Sequence, residues 1–137
     1  EACGRAVGEL AAHSLMAMVE PFWSTRVQGG VVNQLDPGSV IRSIGVTSAL
    51  GPTSAFTWMK LPVVPDMARV MEATTLPTLL LGGDPTAAPD QTYASWEAAL
   101  ALPCVRGLVV GRALLYPPDD DVAAAVDVAA ALVRGSA

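Results

Sequence analysis

The chain has 137 residues and a formal net charge of −5, and its few basic residues form no cluster, which argues against a face for the nucleic-acid backbone. With 52% hydrophobic and 15% charged residues it reads as a well-packed globular interior, yet no apolar run approaches bilayer-spanning length, so no membrane insertion is expected. Cys3 and Cys104 lie far apart without Cys/His ligand spacing, so neither a zinc site nor a disulfide framework is indicated and a reducing cytoplasm is the expected setting.

The chain begins at Glu1 without an initiator Met and already in helical register, with Val7, Leu10 and Ala11 following Ala2, Cys3 and Ala6, as if part of something longer. No targeting segment is visible. His13, the only histidine, falls at the expected helix end, where a cation suits the macrodipole; any Ser-His-Asp or Cys-His site would have to use it. Leu15 to Val19 reads as a buried strand ending at Glu20-Pro21, followed by a polar, glycine-containing loop from Trp23 to Asn33. Asp36 and Pro37 are the favoured pair for opening a helix, whose apolar face is Val40, Ile41, Ile44 and Ala49 up to Gly51.

A second strand spans Ala55 to Leu61 and a helix follows from Pro65-Asp66 with Met67, Val70 and Met71 apolar. Pro77 to Leu81 is the third strand, ending in Gly82-Gly83-Asp84, and a Pro- and Ala-rich loop covers Pro85 to Asp90. A helix over Thr92 to Leu102 carries Tyr93, Trp96 and Leu100 on one side. Val105 to Val110 is the fourth strand, ending in Gly111-Arg112, and Asp119 to Arg134 is a closing helix with three acids at its dipole-favoured start.

Four strands alternating with four helices predict parallel β-structure in a single domain over residues 1–137. A doubly wound sheet would ordinarily carry a glycine-rich phosphate loop after its first strand, and no GxGxxG pattern is present. In a (β/α)8 barrel the functional groups instead decorate the ends of several strands, as Glu20, Lys60, Gly82-Gly83-Asp84 and Gly111-Arg112 do here. The expected fold is therefore α/β, the C-terminal half of a TIM barrel, with strands 5 to 8 of the eight.

Lys60 is the only lysine, and it sits where an apolar strand meets Pro62. A lysine at the carboxyl end of a barrel strand is a candidate Schiff-base nucleophile, because desolvation readily yields its neutral amine. It can equally cap the strand or pair with a carboxylate. Gly82-Gly83 and Gly111-Arg112 follow the strands whose loops commonly hold a substrate phosphate in barrels. Alternatively, Gly82-Gly83 forms a tight turn and Arg112 a surface ion pair.

Trp58-Met59-Lys60-Leu61-Pro62, Leu76 to Asp84 and Val105 to Arg112 together resemble the C-terminal half of the class I aldolase barrels, over essentially the whole chain. Among these they are similar to archaeal-type fructose-bisphosphate, tagatose-bisphosphate and deoxyribose-phosphate aldolases. Leu15 to Pro21 and Leu61 to Tyr116 further resemble an actinobacterial group of aldolase-like barrels encoded with inositol-catabolism genes. The resemblance implies Lys60 as Schiff-base lysine, and Gly82, Gly83, Gly111 and Arg112 as phosphate-binding residues. It places Glu20 at the acid/base position, where archaeal-type enzymes generally have tyrosine and the tagatose-bisphosphate branch has glutamate. Apolar neighbours such as Met18, Phe22 and Trp23 would favour the neutral form that acid/base work needs; pairing with Arg26 is the blander alternative.

The implied reaction is cleavage of a phosphorylated ketose or keto sugar acid, in inositol or carbohydrate catabolism, using no metal and no cofactor. Arg26 would meet a substrate carboxylate. The family adds an aspartate from the first strands, which this chain does not include. A half-barrel exposes parallel strand edges, so a homo-oligomer that rebuilds a barrel-like sheet, or association with further material, is expected. The alternatives are a non-catalytic phosphate-binding half-barrel, or a phosphate-binding isomerase or decarboxylase on the same fold.

Overall fold

In the computed structural model, residues 1–82 and 88–135 are described. The elements run α1 (Ala2–Ala12), β1 (Ala17–Val19), β2 (Ser24–Val27), β3 (Gly30–Asn33), α2 (Pro37–Ser48), β4 (Thr57–Leu61), α3 (Met67–Met71), β5 (Thr78–Leu81), α4 (Pro89–Leu100), β6 (Val105–Val109), α5 (Arg112–Leu115) and α6 (Val122–Gly135). Four strands form one sheet in the order β1-β4-β5-β6, with every neighbouring pair parallel. Sequential parallel strands with a helix returning between them are the repeating unit of a barrel wall. The fold is the expected α/β half-barrel.

Strand alternation divides the sheet into two faces. Along β4, Thr57, Met59 and Leu61 are buried while Trp58 and Lys60 are half-buried, and β5 repeats the pattern with Thr78 and Leu80 against Leu79 and Leu81. The buried set packs against Val40 and Ile44 of α2, Met67, Val70 and Met71 of α3, and Ala99 and Leu100 of α4. Ile44, Met59, Leu61, Val70 and Leu80 are fully shielded, each contributing about 1.5–3 kcal/mol of transfer free energy.

Helix α2 begins as the sequence predicts. The backbone N–H of Ser39 donates to Asp36 Oδ1 at 3.0 Å, and Pro37 occupies the first turn. The Ser39 side-chain hydroxyl is the largest influence holding the Asp36 carboxyl below the ordinary carboxylate range, and this backbone hydrogen bond is the next. The hydroxyls on the buried side of α2 are satisfied within the helix: Ser43 Oγ donates to the Val40 carbonyl and Thr47 Oγ1 to that of Ser43.

Several expected boundaries move. The first strand is limited to Ala17–Val19, and it is not buried throughout, since Leu15, Met16 and Met18 are exposed at the sheet edge. The segment expected to be a loop from Trp23 to Asn33 contains the antiparallel hairpin β2–β3, with Arg26 opposite Val31. Its two-residue turn is Gln28-Gly29, with φ of 50° and 83°, the positive values of the turn type whose twist matches a hairpin. Helix α4 starts at Pro89 rather than Thr92, the single turn α5 was not anticipated, and part of the expected loop, residues 85–87, lies outside the described residues. Helix α6 begins at Val122, so the three aspartates precede its first turn; Asp121 Oδ1 accepts from the Ala124 N–H at 2.9 Å.

Candidate active site at the carboxyl ends of the strands

The pairing of Met18 with Trp58 and Val19 with Met59 sets the next residue of each strand side by side at the carboxyl end. Glu20 and Lys60 therefore meet across forty positions of sequence, and Lys60 Nζ donates to Glu20 Oε2 at 3.0 Å. Lys60 is 20% exposed and Glu20 42% exposed, so the pair stands at the rim of the half-covered face. The structure thus places Lys60 in the carboxylate pairing that the sequence left open, and Lys60 rather than Arg26 is the partner of Glu20. A lysine and a carboxylate in direct contact form a unit that can exchange a proton, as a nucleophilic amine requires.

The remaining strand ends follow in sheet order. Gly82 succeeds β5, and a Cβ there would stand 2.6 Å from Val110 Cγ1, so packing at the end of the next strand already demands glycine. Gly111 precedes α5, with nothing within 4 Å of a Cβ position, and Arg112 opens α5 with its side chain exposed. Gly83 lies outside the described residues, as does Asp84.

Arg26 sits in the hairpin, which begins at Ser24, four residues after Glu20. Among the described residues Arg26 forms no ion pair. Ser24 Oγ donates to Asn33 Oδ1 at 2.7 Å and Gln34 Nε2 to Thr25 Oγ1 at 2.9 Å, closing the base of the hairpin. The Arg42 guanidinium lies 5.7 Å from the centroid of the Trp23 ring, tying the hairpin stem to α2. The sequence reading missed this arm. Its signal was Gln28-Gly29-Gly30 between two β-branched runs, a two-residue turn pattern weakened by the absence of Asn or Asp.

His13 caps the carboxyl end of α1, exposed and remote in the chain order from the strand ends that carry Lys60 and Arg112. Among the described residues, no helix is long and apolar enough to cross a membrane.

Parallel strands in sequential order, with polar and glycine residues collected at their carboxyl ends, define half of a (β/α)8 barrel. The chain covers 96% of its own length and 50% of an archaeal fructose 1,6-bisphosphate aldolase, at 22% identity and a TM-score of 0.74. Against a Schiff-base-forming fructose-1,6-bisphosphate aldolase the coverage is 95% and 50%, at 24% identity and a TM-score of 0.73. At these identities the likeness is one of fold. The chain belongs to the Cgl0159-like family, whose profile matches residues 1–130. It is 59% identical to Cgl0159 from Corynebacterium glutamicum (Brevibacterium flavum), with a TM-score of 0.95 over 100% of this chain and 46% of that one. The chain therefore spans about half the length of the solved structures that it matches. Comparison with curated proteins gave no match.

Proposed function

We propose that this chain carries the Schiff-base half of a class I aldolase, a carbon–carbon lyase acting on a phosphorylated ketose or keto sugar acid in cytoplasmic carbohydrate or inositol catabolism. The observation that supports it is the contact between Lys60 Nζ and Glu20 Oε2 at the carboxyl end of adjacent barrel strands. In the resting pair the ammonium has no free electron pair. Passing a proton to the carboxylate releases one, and the amine adds to the substrate ketone. Glu20 then returns that proton to the hydroxyl of the carbinolamine, water leaves, and a protonated imine forms beside a restored carboxylate; the imine accepts the electron pair of the breaking C–C bond while Glu20 takes the hydroxyl proton from the departing carbon.

Arg112 and the backbone N–H groups around Gly82, Gly83 and Gly111 would hold the phosphate, since a guanidinium and close-approaching amides suit its oxygens. Arg26, carried on the hairpin that leaves the strand end next to Glu20, would meet a substrate carboxylate. Replacing Arg26 by Ala is expected to raise KM for a carboxylate-bearing substrate about tenfold or more with little change in kcat, and steady-state kinetics checks the split.

The test of the reaction is incubation with dihydroxyacetone phosphate and borohydride, then mass spectrometry of the intact chain and its peptides. An adduct on Lys60 is the expected result. Absence of an adduct in a protein that also carries the first four strands would overturn the imine chemistry. The ion pair itself favours one other reading, a phosphate-binding half-barrel or imine-free isomerase in which Lys60 acts only as a charge, and that reading forms no borohydride-stable adduct.

A further inference from the structure

Lys60 marks the carboxyl ends of the strands. The opposite end of the sheet carries a concentration of oxygen atoms that the lysine chemistry does not use. A cleft of about 240 Å³ opens where α2 and α3 end and the chain turns back into β4 and β5. Ser48, Ser54, Glu72, Thr74 and Thr75 line it, each with a side-chain oxygen, and no basic side chain is among its lining residues. β4 and β5 are the two central strands, so the cleft lies away from the sheet edges at β1 and β6.

The backbone there is also rich in acceptors. The last carbonyls of a helix have no following turn to donate to them, and at the end of a long helix they carry together about half a negative charge. α2, twelve residues long, ends at Ser48. After α3 the N–H groups of Glu72, Ala73 and Thr74 all turn back, donating to the carbonyls of Ala68, Val70 and Met71 at 3.1, 3.1 and 3.3 Å. The Leu76 N–H donates to Thr74 Oγ1 at 3.0 Å. The donors of this turn are thus spent within it, while the carbonyls of residues 72–75 come after the last helical turn. Ser48 Oγ directs its proton to the Ile44 carbonyl at 2.9 Å, which leaves its lone pairs as acceptors. Thr74 is only 9% exposed, so its hydroxyl oxygen is a fixed part of the wall. Among the described residues the Glu72 carboxylate forms no ion pair, and neither does Arg69, the basic residue nearest to it in sequence.

We propose that this cleft binds a monovalent metal cation of the potassium kind, held by the Glu72 carboxylate, the hydroxyls of Ser54, Thr74 and Thr75, and carbonyl oxygens of the turn after α3. A donor set of oxygens without imidazole or thiolate suits a hard cation. One carboxylate among neutral oxygens balances one positive charge, which favours a monovalent ion over calcium or magnesium. The cleft is larger than a bare ion, so the ion keeps part of its water there. Once bound, it joins the end of α2 to the turn that leads into β5, at the end of the strands remote from Lys60. The inference therefore stands apart from the lysine chemistry.

The experiment is a titration with potassium chloride, against choline chloride at equal ionic strength, of a protein that carries this chain together with the first four strands. Backbone amide NMR shifts and the thermal unfolding midpoint are read. The expected result is saturable shifts confined to residues 48–55 and 72–76, with a higher midpoint, in potassium only. Equal responses to the two salts would mean screening alone and would overturn the proposal, as would shifts centred elsewhere. Glu72→Gln keeps the shape of the side chain and is expected to weaken potassium binding about tenfold or more, while the midpoint in choline chloride stays unchanged. Undiminished binding by that variant removes Glu72 from the site and sinks the assignment. Arg69→Gln takes away a neighbouring like charge and is expected to strengthen binding about twofold; weaker binding would contradict the electrostatic basis of the site.

Discussion

The two faces of one sheet are finished to different degrees. On the side facing the helices, Met59, Leu61 and Leu80 are fully buried and the polar residues among them, Thr57 and Thr78, are enclosed. On the other side Trp58, Lys60, Leu79 and Leu81 are only half-buried, Met18 is exposed, and the single lysine is balanced by a glutamate from the neighbouring strand. The same backbone alternation produces both. Under the proposed function, stability and chemistry fall on opposite sides of the strands, so each should be open to perturbation with little effect on the other.

The largest break in that comparison is expected from Lys60→Met. Loss of the amine should abolish the borohydride adduct and lower any lyase activity by about 10⁴-fold or more, as removing a nucleophile does. Its effect on stability should be no more than about 1 kcal/mol, because the ion pair is partly exposed. Thermal unfolding alongside mass spectrometry checks the two halves of the statement. The opposite dissociation is expected from Leu80→Ala, which leaves a cavity in the closed face and should cost about 2–5 kcal/mol. Leu81→Ala, one residue on and facing the other way, should cost only about 1 kcal/mol; denaturant unfolding of the pair compares the faces directly.

A smaller effect is expected where the two strand ends touch. Gly82→Ala puts a methyl within 2.6 Å of Val110 Cγ1 and should destabilise by about 1–3 kcal/mol, even without any ligand. An unchanged unfolding midpoint would mean that Val110 gives way freely, and the glycine would then owe nothing to packing. The smallest effect concerns Asp36, away from both faces. Its carboxyl is held below the ordinary range in the folded chain, so its contribution is complete above the unfolded value near pH 4 and is lost as pH falls through the lower folded value. Asp36→Asn keeps a capping acceptor and should remove that acid-side slope from a plot of unfolding midpoint against pH.

The sequence was most legible where local chemistry dictates structure. Asp36-Pro37 opens α2, the apolar run into Lys60 is β4, and Gly111 marks the end of β6, because capping, strand burial and turn preferences act within a few residues. It was least legible around Glu20. Exposure of Met18 depends on which strand lies beside β1, and the hairpin after it is short, exposed and tied down by Trp23 and Arg42 rather than by its own composition. Those are consequences of neighbours brought from elsewhere in the chain.

By itself, then, the sequence determined an alternating α/β chain with parallel strands and with polar or glycine residues at four consecutive strand ends. Periodicity and turn chemistry are local and survive without knowledge of the fold. Only the tertiary structure decided that Glu20 is the group in contact with Lys60 and that Gly82 is demanded by Val110. Sheet register sets both, and register is fixed by the burial of one whole face rather than by any single residue.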